Sequence, residues 1–103
     1  MNGEVIVVAI HGRVDSVTAA TMDTELGKIV NENRHVVLDL KDVAYMSSAG
    51  VRAIVRMLQS AQKAGGGVKL AQVPSHVADV LETVGMMQIL EVFPTMAEAL
   101  ASF

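Results

Sequence analysis

Val5, Ile6, Val7, Val8 and Ile10, joined by Ala9, form an unbroken apolar run, and all five are β-branched. No other feature constrains the fold as tightly. Branching at Cβ favours extended backbone over helix. A strand with one wet face would alternate apolar and polar residues. A continuous run instead marks a strand covered on both faces or lying well inside a sheet. The pattern predicts a strand over 4–10 and a turn beginning at Gly12. The period then changes. Met22, Leu26, Ile29 and Val30 recur at helical spacing, and a hydroxyl at Ser16 or Thr18 can cap that helix. Val36-Val37-Leu38-Asp39-Leu40 reads as a second strand. A second helix follows over 48–64. Its apolar face is Val51, Ile54, Val55, Leu58 and Ala61, and its opposite stripe is Arg52, Arg56, Gln59 and Lys63. Gly65-Gly66-Gly67 stops it, and Val68 to Ala71 is a short third strand. Pro74 and Ser75 open a third helix with Val77, Val80, Leu81 and Val84 inward and Gly85 just past its end. Ile89 to Phe93 predicts a fourth strand. Thr95 and Glu98 have capping-box spacing, and Met96, Ala99, Leu100 and Phe103 share one face of a last helix.

The order β-α-β-α-β-α-β-α implies an α/β layer fold with a largely parallel sheet of about four strands and about four helices. So few strands suit a sheet covered mostly on one face. A length of 103 residues corresponds to one domain over 1–103, large enough for a core without staples. Aromatic residues are only 3% and Trp is absent, so that core must come from Val, Leu, Ile, Ala and Met. The same scarcity removes the stacking platform that single-stranded nucleic acid needs. A formal charge of −3 leaves no basic excess to neutralise phosphates, so no nucleic-acid partner is expected. With no cysteine there is no disulfide, thiolate or cysteine-held metal. Mean hydropathy is high, at +0.43. A membrane span, however, needs about 18–20 consecutive apolar residues, and the longest run here is Val5 to Ile10. Met1-Asn2-Gly3-Glu4 has no basic stretch ahead of an apolar one, as a secretory leader would. The expected compartment is the cytoplasm.

Asp42-Val43-Ala44-Tyr45-Met46-Ser47-Ser48-Ala49-Gly50 is the most unusual local sequence. It joins a strand to the start of the amphipathic helix. Ser48 is placed as N-cap, near free N–H groups and the positive end of the helix dipole. Capping alone does not account for two adjacent serines followed by Ala49 and Gly50, which leave the hydroxyls open to an approaching partner. A serine-hydrolase elbow, Gly-x-Ser-x-Gly, is matched only in its second half, because Met46 stands at the first Gly. His11, His35 and His76 lack metal-ligand spacing and read as boundary residues, so no metal site is expected. The glycine run leads into Val68-Lys69-Leu70 and is a turn, not a phosphate loop; no cofactor is expected. Asp39 and Asp42 read as a strand end and a turn former rather than a carboxylate pair. Arg52 and Arg56 would ordinarily be a solvated stripe. Lying just below Ser48, they become candidate partner contacts. Met86 and Met87 read as core filler or an adaptable contact surface.

The chain resembles the STAS domain, shared by anti-sigma factor antagonists and sulphate transporters. The resemblance rests on His11-Gly12-Arg13-Val14-Asp15, Val37-Leu38-Asp39-Leu40, Tyr45-Met46-Ser47-Ser48-Ala49-Gly50-Val51, Val80-Leu81-Glu82-Thr83-Val84-Gly85-Met86 and Thr95-Met96-Ala97-Glu98-Ala99-Leu100. It covers nearly the whole chain. It implies a mixed sheet flanked by helices and no enzymatic activity. It also implies a serine at the start of the second helix that an anti-sigma factor with serine kinase activity phosphorylates and a phosphatase resets. The unmodified form would bind that anti-sigma factor. The family motif is Asp-Ser-Ser/Thr-Gly. Here Ser47 stands at the Asp position, Ser48 at the phosphoacceptor (Ser47 is the second choice) and Ala49 at the next, while Gly50 is kept. The implied partner surface is Asp15, Ser47, Ser48, Ala49, Gly50, Arg52 and Arg56. The chain begins almost at what would be the family's second strand, which leaves a sheet edge for a second copy or a partner's strand to cover. A scaffold subunit of a signalling or lipid-transport complex, never phosphorylated, is the alternative on the same fold.

Overall fold

The structure is a computed structural model that describes residues 5–33, 35–85 and 89–103. The elements are β1 (Val5–Val14), α1 (Ser16–Glu32), β2 (His35–Met46), α2 (Ser48–Lys63), β3 (Gly67–Ala71), α3 (Ser75–Thr83), β4 (Glu91–Phe93) and α4 (Met96–Ala101). The strand–helix alternation expected from the periods is present throughout. The sheet has the order β1-β2-β3-β4. All three pairings are parallel, so the described sheet is parallel rather than mixed. Short helical crossovers between neighbouring strands produce this order.

Alternate residues of the strands face opposite ways. Val36, Leu38 and Leu40 of β2, with Val68 and Leu70 of β3, point into one core. Leu26 and Val30 of α1, Val51, Ile54, Met57, Leu58 and Ala61 of α2, and Val77 and Leu81 of α3 close it from above. The other face carries a smaller cluster of Val37, Ala71 and Ala99, the last from α4. One face therefore carries three helices and the other one short helix, as the strand count suggested. The apolar stripe read for α2 is buried except Val55, which is half-buried, while Arg52, Arg56, Gln59 and Lys63 are exposed.

Several boundaries differ from the sequence reading. β1 runs on to Val14, and β2 runs from His35 to Met46 rather than over 36–40. Past Ala9 the two strands keep pairing through register shifts between Ala9 and His11 and between Gly12 and Arg13. Gly12, at φ 77°, is a left-handed residue inside the ladder rather than the start of a turn. Polar residues tolerate strand geometry there because each strand is held by the other. α1 is capped by Asp15, not by Ser16 or Thr18. The Asp15 carboxylate accepts from Val17 N and Thr18 N, and Thr18 Oγ1 accepts the Asp15 N–H at 2.8 Å, closing a capping box. β4 is only Glu91–Phe93, and Ile89 is half exposed. At α4 only one half of the proposed box is formed, Glu98 N donating to Thr95 Oγ1 at 3.1 Å. Gly85 is left-handed, at φ 74°, as expected past α3. Glu4, Met86 and Met87 lie outside the described residues.

Candidate functional site

Val14 and Met46 are register partners at the C-terminal ends of β1 and β2. Because those ends are neighbours, α1 and α2 start side by side, and Asp15 and Ser47 open them. The Ser47 N–H donates to Val14 O at 2.8 Å, which ties the start of α2 to β1. Ser47 is the N-cap: its Oγ accepts from Gly50 N at 3.3 Å. Ser48, expected as the cap, is instead the first helical residue. The correction follows from where β2 ends. The strand runs to Met46, so the one half-in position between strand and helix falls on Ser47. Ser48 is exposed, and among the described residues its hydroxyl has no hydrogen-bond partner.

Gly50 is buried, and the reason is close packing. A Cβ there would lie 2.6 Å from Val14 Cγ1 and would also meet Met46 Sδ, both on fully buried side chains. Glycine lets α2 descend onto the paired strand ends. Ala49, half-buried, packs against the main core.

Arg52 and Arg56 stand one and two turns below Ser48. A cavity of about 320 Å³ is lined by Ser48, Val51, Arg52, Val55, Arg56 and Val84. A second, of about 250 Å³, runs between the N-terminal halves of α1 and α2 and includes Ser16, Asp23, Ala49, Arg52 and Arg56. Arg56 Nε donates to Asp23 Oδ2 at 3.1 Å, joining α2 to α1. Arg52 is exposed, and among the described residues it has no ion-pair partner. Asp15 and Ser47 to Arg52 therefore gather at one end of the molecule, and Arg56 lies midway along α2 below them. Asp15 has a structural role there: the Thr18 backbone N–H, helped by the Thr18 hydroxyl, the Val17 N–H and the Arg13 charge, holds its carboxyl below the ordinary carboxylate value.

Three residues at this end were not singled out from the sequence. Arg13 lies over the Tyr45 ring, 4.6 Å from its centroid, and Tyr45 is 41% exposed. Val17 is 76% exposed. Its signal was available, because Val17 falls out of phase with Ala19, Met22 and Leu26 on α1. Tyr45 and Arg13 needed the β1–β2 register, which brings them together.

The histidines lie elsewhere. His11 Nδ1 is 3.6 Å from Asp42 Oδ2 at the surface, while Asp39 Oδ1 accepts from Lys41 N at 3.0 Å. His35 stacks on Phe103, and His76 Nε2 is 3.0 Å from Val43 O. Among the described residues neither Ser47 nor Ser48 hydrogen-bonds to an imidazole or a carboxylate. No group of three or more His, Asp or Glu able to hold a metal gathers among the described residues, and no helix is long and apolar enough to cross a membrane.

The family model described as the STAS domain matches residues 1–99. The chain is 31% identical over 99 residues to BtrV of Bordetella bronchiseptica, named there as a candidate anti-sigma factor antagonist. That match covers 95% of this chain and 85% of BtrV. It is 26% identical over 87 residues to the anti-sigma-B factor antagonist of Bacillus subtilis, covering 84% and 80% of the two chains. Among solved structures, an anti-sigma factor antagonist from Mycobacterium paratuberculosis superposes with a TM-score of 0.86 at 23% identity, covering 95% of this chain and 84% of that one. Unphosphorylated SpoIIAA superposes at 0.81 with 16% identity, covering 98% and 89%. At such identities these two structures speak for the fold alone. With the strand–helix order, the paired strand ends and the Ser47-Ser48-Ala49-Gly50 turn in place, and the family match running over residues 1–99, the chain belongs to the STAS domain family.

Proposed function

We propose that this protein is an anti-sigma factor antagonist whose hold on its partner is switched by phosphorylation of Ser48. The observation that carries this is the division of labour between two adjacent serines. Ser47 is committed to capping α2, while Ser48 is exposed with an uncommitted hydroxyl beside Arg52. A modification at Ser48 leaves the cap intact. The antagonist role draws on the relatives named for it.

The partner is an anti-sigma factor with serine kinase activity. Ser48 Oγ attacks the γ-phosphorus of ATP held by that partner. The bond to the bridging oxygen breaks, ADP leaves, and the hydroxyl proton passes to a base on the kinase. A phosphatase hydrolyses the ester and restores the hydroxyl. The protein itself acts by binding, as one domain in the cytoplasm, and not as an enzyme. β1 is one of the two edge strands of the described sheet and the longer of them, and a second copy pairing along it is the self-association compatible with this role.

Magnitudes favour a switch in binding rather than in folding. A phosphate adds about −1.5 to −2 charges. At an exposed helix N-terminus the dipole stabilises an anion by only about 0.3–1 kcal/mol. Across an interface, one like charge at about 5 Å with an effective dielectric of about 20 costs ~3 kcal/mol. That is roughly a hundredfold in affinity or more.

The test is a pull-down of the ATP-binding partner, followed by phosphorylation and mapping of the modified residue. Phosphate on Ser48 and loss of the complex support the proposal. Modification confined to Ser47, or none by a demonstrated partner kinase, overturns it. Capture of membrane transport subunits in place of a kinase supports the scaffold alternative.

A further inference from the structure

Ser48 and Arg52 are four residues apart on α2, so their side chains stand one above the other. Helical side chains lean toward the helix N-terminus, which tips the long Arg52 side chain back toward Ser48. The two residues line the same cavity between α2 and α3. Arg56 lines it as well, but its guanidinium is engaged by Asp23 from α1. Among the described residues, the α3 side of the cavity is lined by the apolar Val84, the C-cap of α3. Arg52 also borders the groove between α1 and α2, so it sits on the ridge separating the two hollows, with no acid holding it among the described residues.

We propose that Arg52 is the receiver, within the same chain, for a phosphoryl group on Ser48. This rests on the reading of Ser48 as the modified residue and adds how the modification is read out. Guanidinium presents a planar fork of donors that matches phosphate oxygens. An anion placed N-terminal to a cation at this spacing is also the better orientation on a helix. In the unmodified protein Arg52 is free to meet an acidic group of the partner. In the phosphorylated protein the new phosphate occupies it. One modification then subtracts a cation from the surface as well as adding an anion. Arg56 is already engaged by Asp23 before any modification.

The experiment uses the full chain with phosphoserine inserted at position 48 during synthesis, so no kinase is needed. The phosphorus resonance is followed through the second phosphate ionisation, ordinarily near pH ~6. A neighbouring guanidinium favours the dianion, so the ionisation should fall by about half a unit to one unit in this exposed setting. Arg52→Gln should return it to the ordinary value, Arg52→Lys should keep part of the shift, and Arg56→Gln should leave most of it. Identical titrations for the wild type and Arg52→Gln overturn the proposal. So does a shift abolished by Arg56→Gln and not by Arg52→Gln. If a partner kinase modifies another residue, the proposed function fails, while the titration still decides the Arg52 contact by itself.

Discussion

Two adjacent serines with different work give the sharpest contrast available at the level of single residues. Ser47 caps α2 through Gly50 N, so Ser47→Ala should cost about 0.5–2 kcal/mol of stability. Ser48→Ala removes no hydrogen bond seen among the described residues and should leave stability within about 0.5 kcal/mol of wild type. Urea unfolding of the two variants side by side checks the pair. Equal losses would mean that the cap is shared. Gly50 is the third test at this scale. Its missing Cβ is the space that the Val14 and Met46 side chains fill. Val14 is β-branched and fully buried, so it cannot swing aside. Gly50→Ala should therefore lose about 1–3 kcal/mol by overpacking, despite alanine's better helix propensity. A melting temperature at or above wild type would show that α2 can lift off the strand ends without cost.

The start of α1 is a pH-sensitive joint between elements. The Asp15 carboxylate accepts two backbone N–H groups, and folding lowers its pKa below the ordinary carboxylate value. Between the folded and unfolded values the unfolded chain binds a proton that the folded chain does not, so stability falls as pH drops through that window. Above the ordinary value the contribution is complete; below the folded value it is gone. Asn is as good an N-cap as Asp but does not titrate in this range. Wild type should therefore lose stability relative to Asp15→Asn between about pH 7 and about pH 3, read by denaturant unfolding at each pH. A difference independent of pH would mean that the carboxylate charge contributes nothing to the cap. The Asp23–Arg56 pair joins α1 to α2 midway along both helices, but it is solvent-exposed and belongs with pairs contributing little to stability.

At the scale of the whole molecule, the parallel order of the sheet sends both helix starts to one end and makes a surface there from residues distant in the chain. Ser48→Asp should weaken binding of the anti-sigma partner at least several-fold while the thermal melt stays near wild type. The effect should be smaller than that of phosphate, since Asp carries one charge against nearly two. It should shrink as salt is raised, because the charges are exposed. Titration of the partner at low and high ionic strength decides it; unchanged affinity at low salt would remove this helix start from the switch. The elements themselves were legible in the sequence, since burial imposes its period locally. The stripe Val51, Ile54, Leu58 and Ala61 signals its helix without reference to the rest of the chain, and the β-branched run over Val5 to Ile10 signals a strand in the same way. The place of that strand did not follow, because β1 lies at a sheet edge with Val7 47% exposed rather than covered on both faces or well inside the sheet. The Ser47-Ser48-Ala49-Gly50 segment could be placed at a strand-to-helix junction from its residue types, but with the cap on Ser48 rather than on Ser47. What only the tertiary structure decided is what depends on pairing between segments. His11 to Val14 is polar and Lys41-Asp42 interrupts the apolar run of β2, so both stretches read as leaving the strands, yet each is held in strand form by the other across two register shifts. That pairing carries β2 to Met46 and so assigns the cap to Ser47, leaving Ser48 free. Arg56 and Asp23, 33 residues apart, meet only because α1 and α2 rise from neighbouring strands. A period can be read along one segment; a register, a cap position or a free guanidinium is a relation between two segments, and it exists only once the chain has folded.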